Sequence, residues 1–322
     1  MPRVLITGAA GFIGMHTSIR FLEEGWYVLG IDNLNDYYDK RLKWDRLKQI
    51  ESATTNKARF TFLQEDITSE VWNDISSIHF DALIHLAAQA GVRYSIENPN
   101  AYLTSNIFGF QKVLEFVVKS GIERFLYASS SSVYGKSSSQ PFSEQQPCDQ
   151  PESYYAATKR ANELMAYSYA KTHGLKSIGM RFFTVYGPWG RPDMAPMLFT
   201  NAAMNSKEIR VFNYGKQKRD FTYVEDIVEG IYRLTIKKTY DGNYNVCNIG
   251  NGSPVDLFKF IDFIETYVGM KIKRKMVDAQ PGDVEVTYAS TQKLKELISY
   301  EPKVSLDVGI MRFVEWYKGY YK

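Results

Sequence analysis

Short apolar runs alternate along the chain with longer stretches in which apolar residues recur at helical spacing. The apolar runs, which are typical of strands buried on both faces, cover residues 3–7, 26–31, 60–63, 82–88, 125–128 and 177–183. The helical stretches include Leu42, Trp44, Leu47 and Ile50, residues 98–120 and residues 153–173. Because strands and helices alternate from residue 3 to residue 183, we predict an α/β fold with a doubly wound parallel sheet.

The character of the sequence changes after Tyr186, where residues 187–193 are rich in the turn formers Gly and Pro. We therefore predict one domain over residues 1–186 and a smaller domain over residues 187–322. A segment at about residues 220–240 is expected to return and pack on the first domain. The helices predicted for the second domain cover residues 255–268 and 305–320.

Composition narrows the class of protein. The chain has 322 residues, of which 44% are hydrophobic, enough to bury a full core. Its net charge is +3 and its Lys and Arg residues are dispersed, so neither a nucleic acid nor a membrane surface is an expected partner. Cys148 and Cys247 lie too far apart for a metal motif, and two cysteines make no disulfide framework. The first strand leaves no room for a signal peptide, so we expect a cytoplasmic protein.

A glycine-rich turn, Gly8, Gly11 and Gly14, follows the first strand with GxxGxxG spacing and opens a helix. Such glycines let the backbone turn sharply and approach a pyrophosphate, while the helix N-terminus supplies N–H donors. The acidic residue expected about 20 residues further on is Asp32, which would bind an adenosine ribose and repel a 2′-phosphate. Since Asn33 rather than Arg follows, the sequence predicts a Rossmann domain that binds NAD rather than NADP. A glycine-rich turn without a ligand is the alternative.

Two further strand ends face the same expected site. Asp66 follows the third strand, and its carboxylate would either face the adenine or cap a helix. The fourth strand ends in small residues, Ala87 and Ala88, which would leave room for a cofactor. His85, within that run, is expected to be a core residue rather than a catalyst.

Tyr155 and Lys159 would lie on one face of a helix, one turn apart. The preceding strand ends in the serines 129–132, so Ser130 and Tyr155 would converge at the carboxyl edge of the sheet. A phenol that acts as a base near pH 7 needs its pKa lowered by about 3 units, or roughly 4 kcal/mol. Lys159 and a nicotinamide ring are two cations that can supply this stabilisation. An ordinary surface helix is the alternative.

These features resemble the extended short-chain dehydrogenases/reductases that act on nucleotide sugars. The resemblance covers essentially the whole chain and rests on GxxGxxG, Asp32, Leu86-Ala87-Ala88-Gln89, residues 131–135 and Tyr155-xxx-Lys159. It implies that Ser130 and Tyr155 bind the sugar hydroxyl that is oxidised, that Lys159 binds the nicotinamide ribose, and that NAD stays bound through the cycle. Ser130 is preferred because it stands three residues before Val133, but an adjacent serine is an alternative.

By this resemblance, the first domain binds NAD and the second mainly binds substrate. The residues expected to contact NAD are Gly8, Gly11, Phe12, Ile13, Gly14, Asp32, Asn33, Asp66, Ile67, Leu86, Ala87, Ala88, Gln89, Tyr155 and Lys159. No metal site is expected. Related dehydratases carry an Asp-Glu pair beside the catalytic serine and related decarboxylases carry Thr-Ser-Glu, whereas this chain has only serines. Because this chain lacks the additional acidic residue of those enzymes, the reaction that remains is epimerisation through a transient 4-keto intermediate.

The nucleotide contacts are also assigned by resemblance. Arg219 matches an arginine that pairs with the diphosphate, and residues 280–284, including Asp283, match a loop that closes on it. Most relatives have Arg at the position of Gln280, which weakens or moves that contact. Val211 and Phe212 would flank a uracil. An ordinary loop contact is the alternative for each of these residues.

Residues 35–39, 90–95 and 181–194 are similar to UDP-glucuronate 4-epimerases, and glucose-type epimerases usually have Asn at the position of Thr184. A sugar carboxylate needs paired donors. The candidates are Arg93, Ser130, Ser131, Ser132, Thr184 and Arg191. Capping a helix or contacting a phosphate are alternatives for Arg93.

We therefore expect NAD-dependent C4 epimerisation of a UDP-hexuronic acid, UDP-glucuronate to UDP-galacturonate. A UDP-glucose or UDP-N-acetylglucosamine 4-epimerase and a non-catalytic NAD(P)-binding sensor are the alternatives. The resemblance also implies a homodimer formed through helices at residues 106–119 and 162–169.

Overall fold

The computed structural model describes residues 1–136, 139–279 and 285–321. Its strands are β1 (Arg3–Thr7), β2 (Tyr27–Ile31), β3 (Phe60–Leu63), β4 (Ala82–His85), β5 (Phe125–Ser130), β6 (Ser177–Phe182), β7 (Thr184–Tyr186), β8 (Glu208–Phe212), β9 (Lys218–Tyr223), β10 (Tyr244–Ile249), β11 (Pro254–Asp256), β12 (Lys273–Val277) and β13 (Val286–Thr287). Its α-helices are α1 (Phe12–Glu23), α2 (Lys40–Ser52), α3 (Val71–Asp74), α4 (Tyr94–Glu97), α5 (Pro99–Tyr102), α6 (Gly109–Ser120), α7 (Tyr154–His173), α8 (Ala195–Met204), α9 (Val224–Ile236), α10 (Leu257–Val268), α11 (Gln292–Ile298) and α12 (Leu306–Tyr320). A π-helical segment, Leu103–Phe108, joins α5 to α6.

The chain divides into two compact units. The first contains Met1–Lys136, Glu144–Phe182 and Val228–Asn248. The second consists mainly of Phe183–Ile227 and the residues from Ile249 onward. The chain therefore leaves the first unit after β6 and returns to it within α9.

The first unit is built on a seven-stranded sheet with the order β10-β6-β5-β4-β1-β2-β3. In this order, each pair of neighbouring strands from β6 across to β3 is parallel. Thr7 at the end of β1 lies opposite both Ile31 of β2 and His85 of β4. Since β1 is flanked by β2 and β4, the order of the strands reverses beside β1, and ligands of such sheets bind at the carboxyl ends of the strands there. The predicted α/β fold with a parallel sheet is confirmed.

Two predicted elements differ from the structure, and one strand of the large sheet was not predicted. The helix expected over residues 98–120 is interrupted by the π-helical segment, because Asn106 in that segment bonds to neighbouring elements rather than facing water. The run at residues 82–88 leaves the sheet after His85, close to where its partner β1 ends. Strand β10 was not predicted, although it forms one edge of the large sheet.

Helix α2 shows how packing departs from the simple apolar pattern. Leu42, Leu47 and Ile50 are buried as expected, whereas Trp44 is 45% exposed. The charged residues Lys43 and Arg46 of the same helix are buried instead. A buried cation requires polar partners, so this face of α2 packs against polar groups.

The second unit is organised around β9, which pairs with β7 and β13 in parallel and with β11 antiparallel. Strands β8 and β12 form a separate parallel pair. The core of this unit is strongly aromatic, with Phe221 and Phe260 stacked at a centroid distance of 4.1 Å. Across the described ranges of the chain, no helix is long and apolar enough to cross a membrane.

Candidate active site

The glycine-rich turn is packed so tightly that side chains do not fit. Gly8 has φ +73°, and a Cβ atom there would lie 2.6 Å from the backbone nitrogen of Ala87. A Cβ at Gly14 would overlap the carbonyl oxygen of Gly8. The turn therefore places bare backbone against the end of β4, as close approach to a phosphate group requires.

The first turn of α1 leaves its N–H groups without a side-chain cap. Gly11 is the N-cap residue and has no side chain to accept from them, and its own N–H donates to the Gly8 carbonyl at 2.9 Å. Phe12 is buried and Ile13 is partly buried at the start of the helix. Uncapped donors and the positive end of the helix dipole suit an anion.

Asp32 lies at the end of β2, next to this turn. Asp32 is 9% exposed, and its carboxylate accepts from the backbone N–H groups of Ala10 at 3.2 Å and Leu34 at 2.9 Å. Burial raises the pKa of the Asp32 carboxyl, although Lys43 and the two backbone donors act in the opposite direction. The carboxylate is thus fixed between the glycine-rich turn and the loop after β2.

Asp66 is linked to Asn33, since the Asn33 side-chain amide donates to its carboxylate at 2.7 Å. The same carboxylate accepts from the backbone N–H and the hydroxyl of Thr68 at 2.8 and 2.7 Å. Burial raises the pKa of Asp66, but the bonds from Thr68 and Asn33 outweigh burial and leave the pKa lowered. The next helix, α3, begins at Val71 with Glu70 as its N-cap, so Asp66 stabilises a turn rather than capping that helix.

Two cationic side chains, Lys43 and Arg46, act on the Asp32 carboxylate, and neither was predicted from the sequence. Lys43 donates to the Asn35 side chain at 2.8 Å, and Arg46, which is fully buried, donates to the Ala10 carbonyl at 3.1 Å and to the Tyr38 hydroxyl at 2.6 Å. Desolvation lowers the pKa of Lys43, and Asp32 partly offsets it. Their only signal in the sequence is the position of α2 directly after the Asp32 loop.

The end of β4 contains His85, which is 3% exposed and lies 2.8 Å from the Thr7 hydroxyl through Nδ1. Desolvation, with a smaller contribution from Lys159, lowers the pKa of His85 to about 3. A neutral, buried imidazole agrees with the predicted core role. Beyond it, Leu86, Ala87 and Ala88 are partly buried and Gln89 is buried.

Replacing His85 with Asn should reduce the loss of stability at acid pH. The unfolded chain takes up a proton near pH 6.5 that the native state excludes down to about pH 3, so stability falls as pH drops through that window, by up to about 1.4 kcal/mol per unit. Urea unfolding of both proteins at pH 7 and pH 5 measures the difference. A difference in unfolding free energy that is independent of pH would contradict this assignment.

Asn106 is a buried residue whose structural role was not predicted from the sequence. Its side chain accepts from the Gln89 N–H at 2.8 Å and donates to the Gln89 carbonyl at 3.0 Å and the Thr158 hydroxyl at 3.0 Å. Asn162 in turn donates to the Asn106 carbonyl at 2.6 Å. These bonds tie the segment after β4 to α7.

The serines at the end of β5 differ in their contacts. The hydroxyl of Ser129 donates to buried Glu163 at 2.6 Å. Ser130 is 8% exposed, and its hydroxyl instead accepts from the backbone N–H of Ser132 at 3.2 Å and caps the turn Ser131–Tyr134. Ser131 and Ser132 are partly buried. The Ser129 hydroxyl therefore bonds to a group in the protein interior, whereas Ser130 lies at the junction between β5 and the following turn.

Helix α7 docks on this strand through Lys159, which is 2% exposed and donates from Nζ to the Ala128 carbonyl at 2.8 Å. Desolvation lowers the pKa of Lys159 to about 8. Tyr155, one turn earlier on the helix, is partly buried and makes an edge contact with Tyr102 at a centroid distance of 6.1 Å. The Lys159 bond thus holds the predicted Tyr155 face against the serine-tipped strand.

A model of the NAD dependent epimerase/dehydratase family matches residues 4–250. The chain belongs to this family. The family predicted from the glycine-rich turn and the Tyr155/Lys159 spacing is confirmed, and so is the predicted use of NAD.

Individual relatives of this epimerase/dehydratase span the whole chain. It is 47% identical to Protein CapI of Staphylococcus aureus, over 99% of each chain. It is 40% identical to a probable UDP-glucuronate 4-epimerase of Rhizobium meliloti, over 99% of this chain and 98% of the relative. A crystal structure of UDP-glucuronic acid 4-epimerase from Bacillus cereus with UDP-glucuronic acid and NAD has a TM-score of 0.90 and 31% identity, covering 98% of this chain and 99% of that one.

The residues predicted to contact substrate are distributed over both units of the epimerase/dehydratase. Arg93 is exposed and occupies the N-cap position of α4 in the first unit. In the second unit, Thr184 lies opposite Phe221 on paired strands. Arg191 forms a bidentate ion pair with Asp193, with Nε–Oδ1 and Nη2–Oδ2 distances of 3.0 and 2.5 Å.

The predicted nucleotide contacts also lie in the second unit. Val211 is completely buried in its core, whereas Phe212 is partly exposed. Arg219 donates to the backbone carbonyls of Lys218 and Glu285, both at 3.0 Å. Residues 280–284, with Gln280 and Asp283, lie outside the described residues. Among the parts of the chain that the structure describes, no group of three or more His, Cys, Asp or Glu side chains could hold a metal ion.

Proposed function

We propose that the chain is a UDP-glucuronate 4-epimerase that uses NAD. The observation that carries this proposal is the docking of α7 on β5 through the Lys159–Ala128 bond, which brings the Tyr155 face to a strand end made of serines. One of these serines, Ser129, is bonded to the carboxylate of Glu163. Burial raises the pKa of Glu163, but the salt bridge to Arg181 outweighs burial, leaves the pKa lowered and keeps the carboxylate ionised. An ionised carboxylate cannot serve as the additional acid of a dehydration, so hydride removal and return without further acid catalysis is the reaction that these residues support.

NAD fits the first unit on its geometry. The cradle of Gly8, Gly11 and Gly14 would hold the pyrophosphate at the N-terminus of α1, and Asp32 with Asn33 would bind the adenosine ribose. Asp66 and Ile67, the segment Leu86–Gln89, Phe12 and Ile13, and the pair Tyr155 and Lys159 complete the proposed contacts. When bound, NAD supplies a reversible hydride acceptor.

The proton transfers fall to the residues of α7 and β5. Tyr155 would take the proton of the sugar C4 hydroxyl and later return it, and Ser130 would hydrogen-bond the same oxygen. With a pKa of about 8, Lys159 is mainly protonated at pH 7 and favours the phenolate. Its position against the Ala128 carbonyl fixes that charge one turn from the phenol.

Substrate recognition is assigned mainly to the second unit. Arg219 would pair with the nucleotide diphosphate, and the loop that contains Asp283 would close on the nucleotide. Phe212 would stack beside uracil, and the buried side chain of Val211 limits its share of that contact to the main chain. The groups proposed for the sugar carboxylate are Arg93, Ser130, Ser131, Ser132, Thr184 and Arg191. Guanidinium groups suit it because their paired N–H donors match the two oxygens.

The test is incubation of the purified protein with UDP-glucuronate and, separately, with UDP-glucose or UDP-N-acetylglucosamine, followed by separation of the sugar epimers. UDP-galacturonate formed from UDP-glucuronate, with slow or undetectable turnover of the neutral sugars, is the expected result. Preferential turnover of a neutral sugar would favour the alternative epimerase. Bound NAD without turnover of any sugar would favour a sensor.

Replacing Asp32 with Ala should weaken NAD binding and reduce discrimination against NADP, because the carboxylate both binds the ribose hydroxyls and repels a 2′-phosphate. Titration of the cofactor-free protein with each nucleotide measures the preference. Asp36→Ala is the matched control, since Asp36 is an exposed carboxylate on the same loop. Equal NAD-to-NADP preference in the wild type and Asp32→Ala would count against the assignment.

The assembly and compartment complete the proposal. Large apolar side chains are exposed on the π-helical segment and α7, where Leu103, Phe108, Leu164 and Tyr167 are 48%, 51%, 54% and 46% exposed. They support a homodimer formed through the helices at residues 106–119 and 162–169. Both cysteines are buried and free, which agrees with the reducing conditions of a cytoplasm.

A further inference from the structure

One face of α7 carries three ionisable or polar side chains at four-residue intervals, Tyr155, Lys159 and Glu163. The last two both contact β5. Lys159 donates to the Ala128 carbonyl at 2.8 Å, and Glu163 accepts from the Ser129 hydroxyl at 2.6 Å. The strand is therefore held to the helix at two consecutive residues that directly precede Ser130.

Glu163 is itself fixed by Arg181. The two side chains form a bidentate pair, Nε–Oε1 and Nη2–Oε2, with both distances at 2.8 Å, and both are almost fully buried. Arg181 lies on β6 directly opposite Ser129 in the parallel register. Arg160 also donates to Glu163, at 2.9 Å. This arrangement joins α7, β5 and β6 at one buried point.

Arg181 reaches the other side of Ser130 as well. Its guanidinium carbon lies 4.8 Å from the ring centroid of Tyr134, the last residue of the turn that Ser130 caps. The Tyr134 hydroxyl donates to the Asn248 side chain at 2.7 Å. Ser130 therefore lies between Ser129, which is bonded to Glu163, and Tyr134, which lies against Arg181, and the Glu163–Arg181 pair connects the two.

Stability alone does not require this pair. Removing two charges from water is costly, and a buried ion pair is often replaced by apolar side chains of similar volume without loss of stability. An apolar pair, however, cannot accept the Ser129 hydrogen bond or fix the direction of the contact. Small displacements of catalytic groups reduce rates strongly, about 10²-fold for roughly 1 Å.

We propose that Glu163 and Arg181 are positioning residues for the epimerase reaction, which hold the Ser130 end of β5 in register with Tyr155 and Lys159. This inference rests on the proposed function. The pair acts through Ser129 and Tyr134 and does not itself touch the substrate. It should therefore affect kcat rather than KM.

The main test is the double apolar variant Glu163→Leu/Arg181→Met. We expect a melting temperature close to that of the wild type and retained NAD, with kcat for UDP-glucuronate lowered by about 10-fold to 10²-fold and KM nearly unchanged. The matched control is Glu229→Leu/Arg233→Met, which removes a partly exposed pair of the same residue types from α9. This control should retain the wild-type kcat.

A second variant separates positioning from folding. Ser129→Ala removes the bond to Glu163 but keeps the ion pair, and we expect a smaller loss of kcat, about 3-fold to 10-fold, in a protein that still folds and binds NAD, with a slightly lower melting temperature because a buried carboxylate loses one donor. If the double variant does not fold, Ser129→Ala alone decides. Wild-type kcat in Ser129→Ala, and in the double variant where it folds, would overturn the inference.

The outcome for the inference can be distinguished from that for the function. A wild-type protein that epimerises none of the UDP-sugars contradicts the proposed function. The reduced-nicotinamide absorbance that appears when UDP-glucuronate is added to the NAD-bound wild type and variants reports the first hydride transfer independently of product release. An active wild type whose variants reduce bound NAD equally fast contradicts only the positioning role.

Discussion

Replacing Tyr155 with Phe is expected to lower the turnover of UDP-glucuronate by about 10² to 10⁴-fold, the usual contribution of general acid–base catalysis. The substitution removes only the phenolic oxygen and leaves the ring that packs against Tyr102. The proposed NAD contacts at the glycine-rich turn and Asp32 are untouched. Bound NAD should therefore stay at the wild-type level.

The size of this effect follows from how far the pKa of the Tyr155 phenol has to be lowered for it to act as a base. Action as a base near pH 7 requires a pKa about 3 units below the ordinary value, which corresponds to roughly 4 kcal/mol of stabilisation of the phenolate. Lys159 supplies part of it, because it is a buried cation one helical turn away with its ammonium fixed on the Ala128 carbonyl. Phe cannot take up the proton, so the stabilisation has no group on which to act.

Tyr154→Phe is the matched control, since Tyr154 is the adjacent tyrosine on α7 and is 40% exposed. Steady-state rates with UDP-glucuronate and the NAD content of the purified proteins provide the measurement. The control should retain wild-type activity. A Tyr155→Phe protein with near-normal turnover would exclude Tyr155 as the base.

The parts of the fold that the sequence predicted well are those that depend on neighbours close along the chain. The predicted bounds of β1 and of the helix over residues 153–173 agree with the structure, in which Ser153 caps the N-terminus of α7 and a left-handed Gly174 follows its last residue. The spacing of Tyr155 and Lys159 is likewise a local property of one helix. For such features, the sequence contains nearly all of the physical information.

Features that depend on contacts between distant elements could not be predicted in the same way. Asn106 interrupts a helix that its apolar spacing favours, because its side chain bonds to Gln89 and Thr158. Lys43 and Arg46 are buried because Asn35 and Ala10 accept from them. Glu163 could have been noticed at the third position of the Tyr155 face, but its partner Arg181 is revealed only by the pairing of β5 with β6.

The guanidinium of Arg191, which is proposed to bind the sugar carboxylate, is already paired with the carboxylate of Asp193. Its bidentate contact with Asp193 has the geometry that a sugar carboxylate would use. The Arg191 side chain is 19% exposed and the Asp193 side chain 35% exposed, so the pair is accessible to a competing anion. Asp193 would then hold Arg191 in an extended, fork-shaped arrangement before substrate binds.

Arg191→Ala should therefore impair UDP-glucuronate specifically. Leaving the sugar carboxylate without its partner is expected to cost on the order of 2–5 kcal/mol in binding, and UDP-glucose, which has no carboxylate at C6, should bind almost as well as before. Binding titrations with both nucleotides, together with kcat and KM for UDP-glucuronate, measure this selectivity. A higher KM at constant kcat would indicate a contact made equally throughout the reaction, whereas a lower kcat would indicate one made while the keto intermediate turns over.

The same substitution should change the products. The 4-keto uronate is a β-keto acid, which loses carbon dioxide readily when its carboxylate is free to align with the ketone, so a firmly held carboxylate protects the intermediate. Arg191→Ala is expected to release some carbon dioxide and a UDP-pentose, both absent from the wild-type reaction and measurable by mass spectrometry. Arg93→Ala tests the second candidate guanidinium. If both variants retain the wild-type kcat/KM for UDP-glucuronate and release no pentose, recognition of the carboxylate by these arginines is wrong, and an epimerase for neutral UDP-sugars becomes the better explanation of the Tyr155 site.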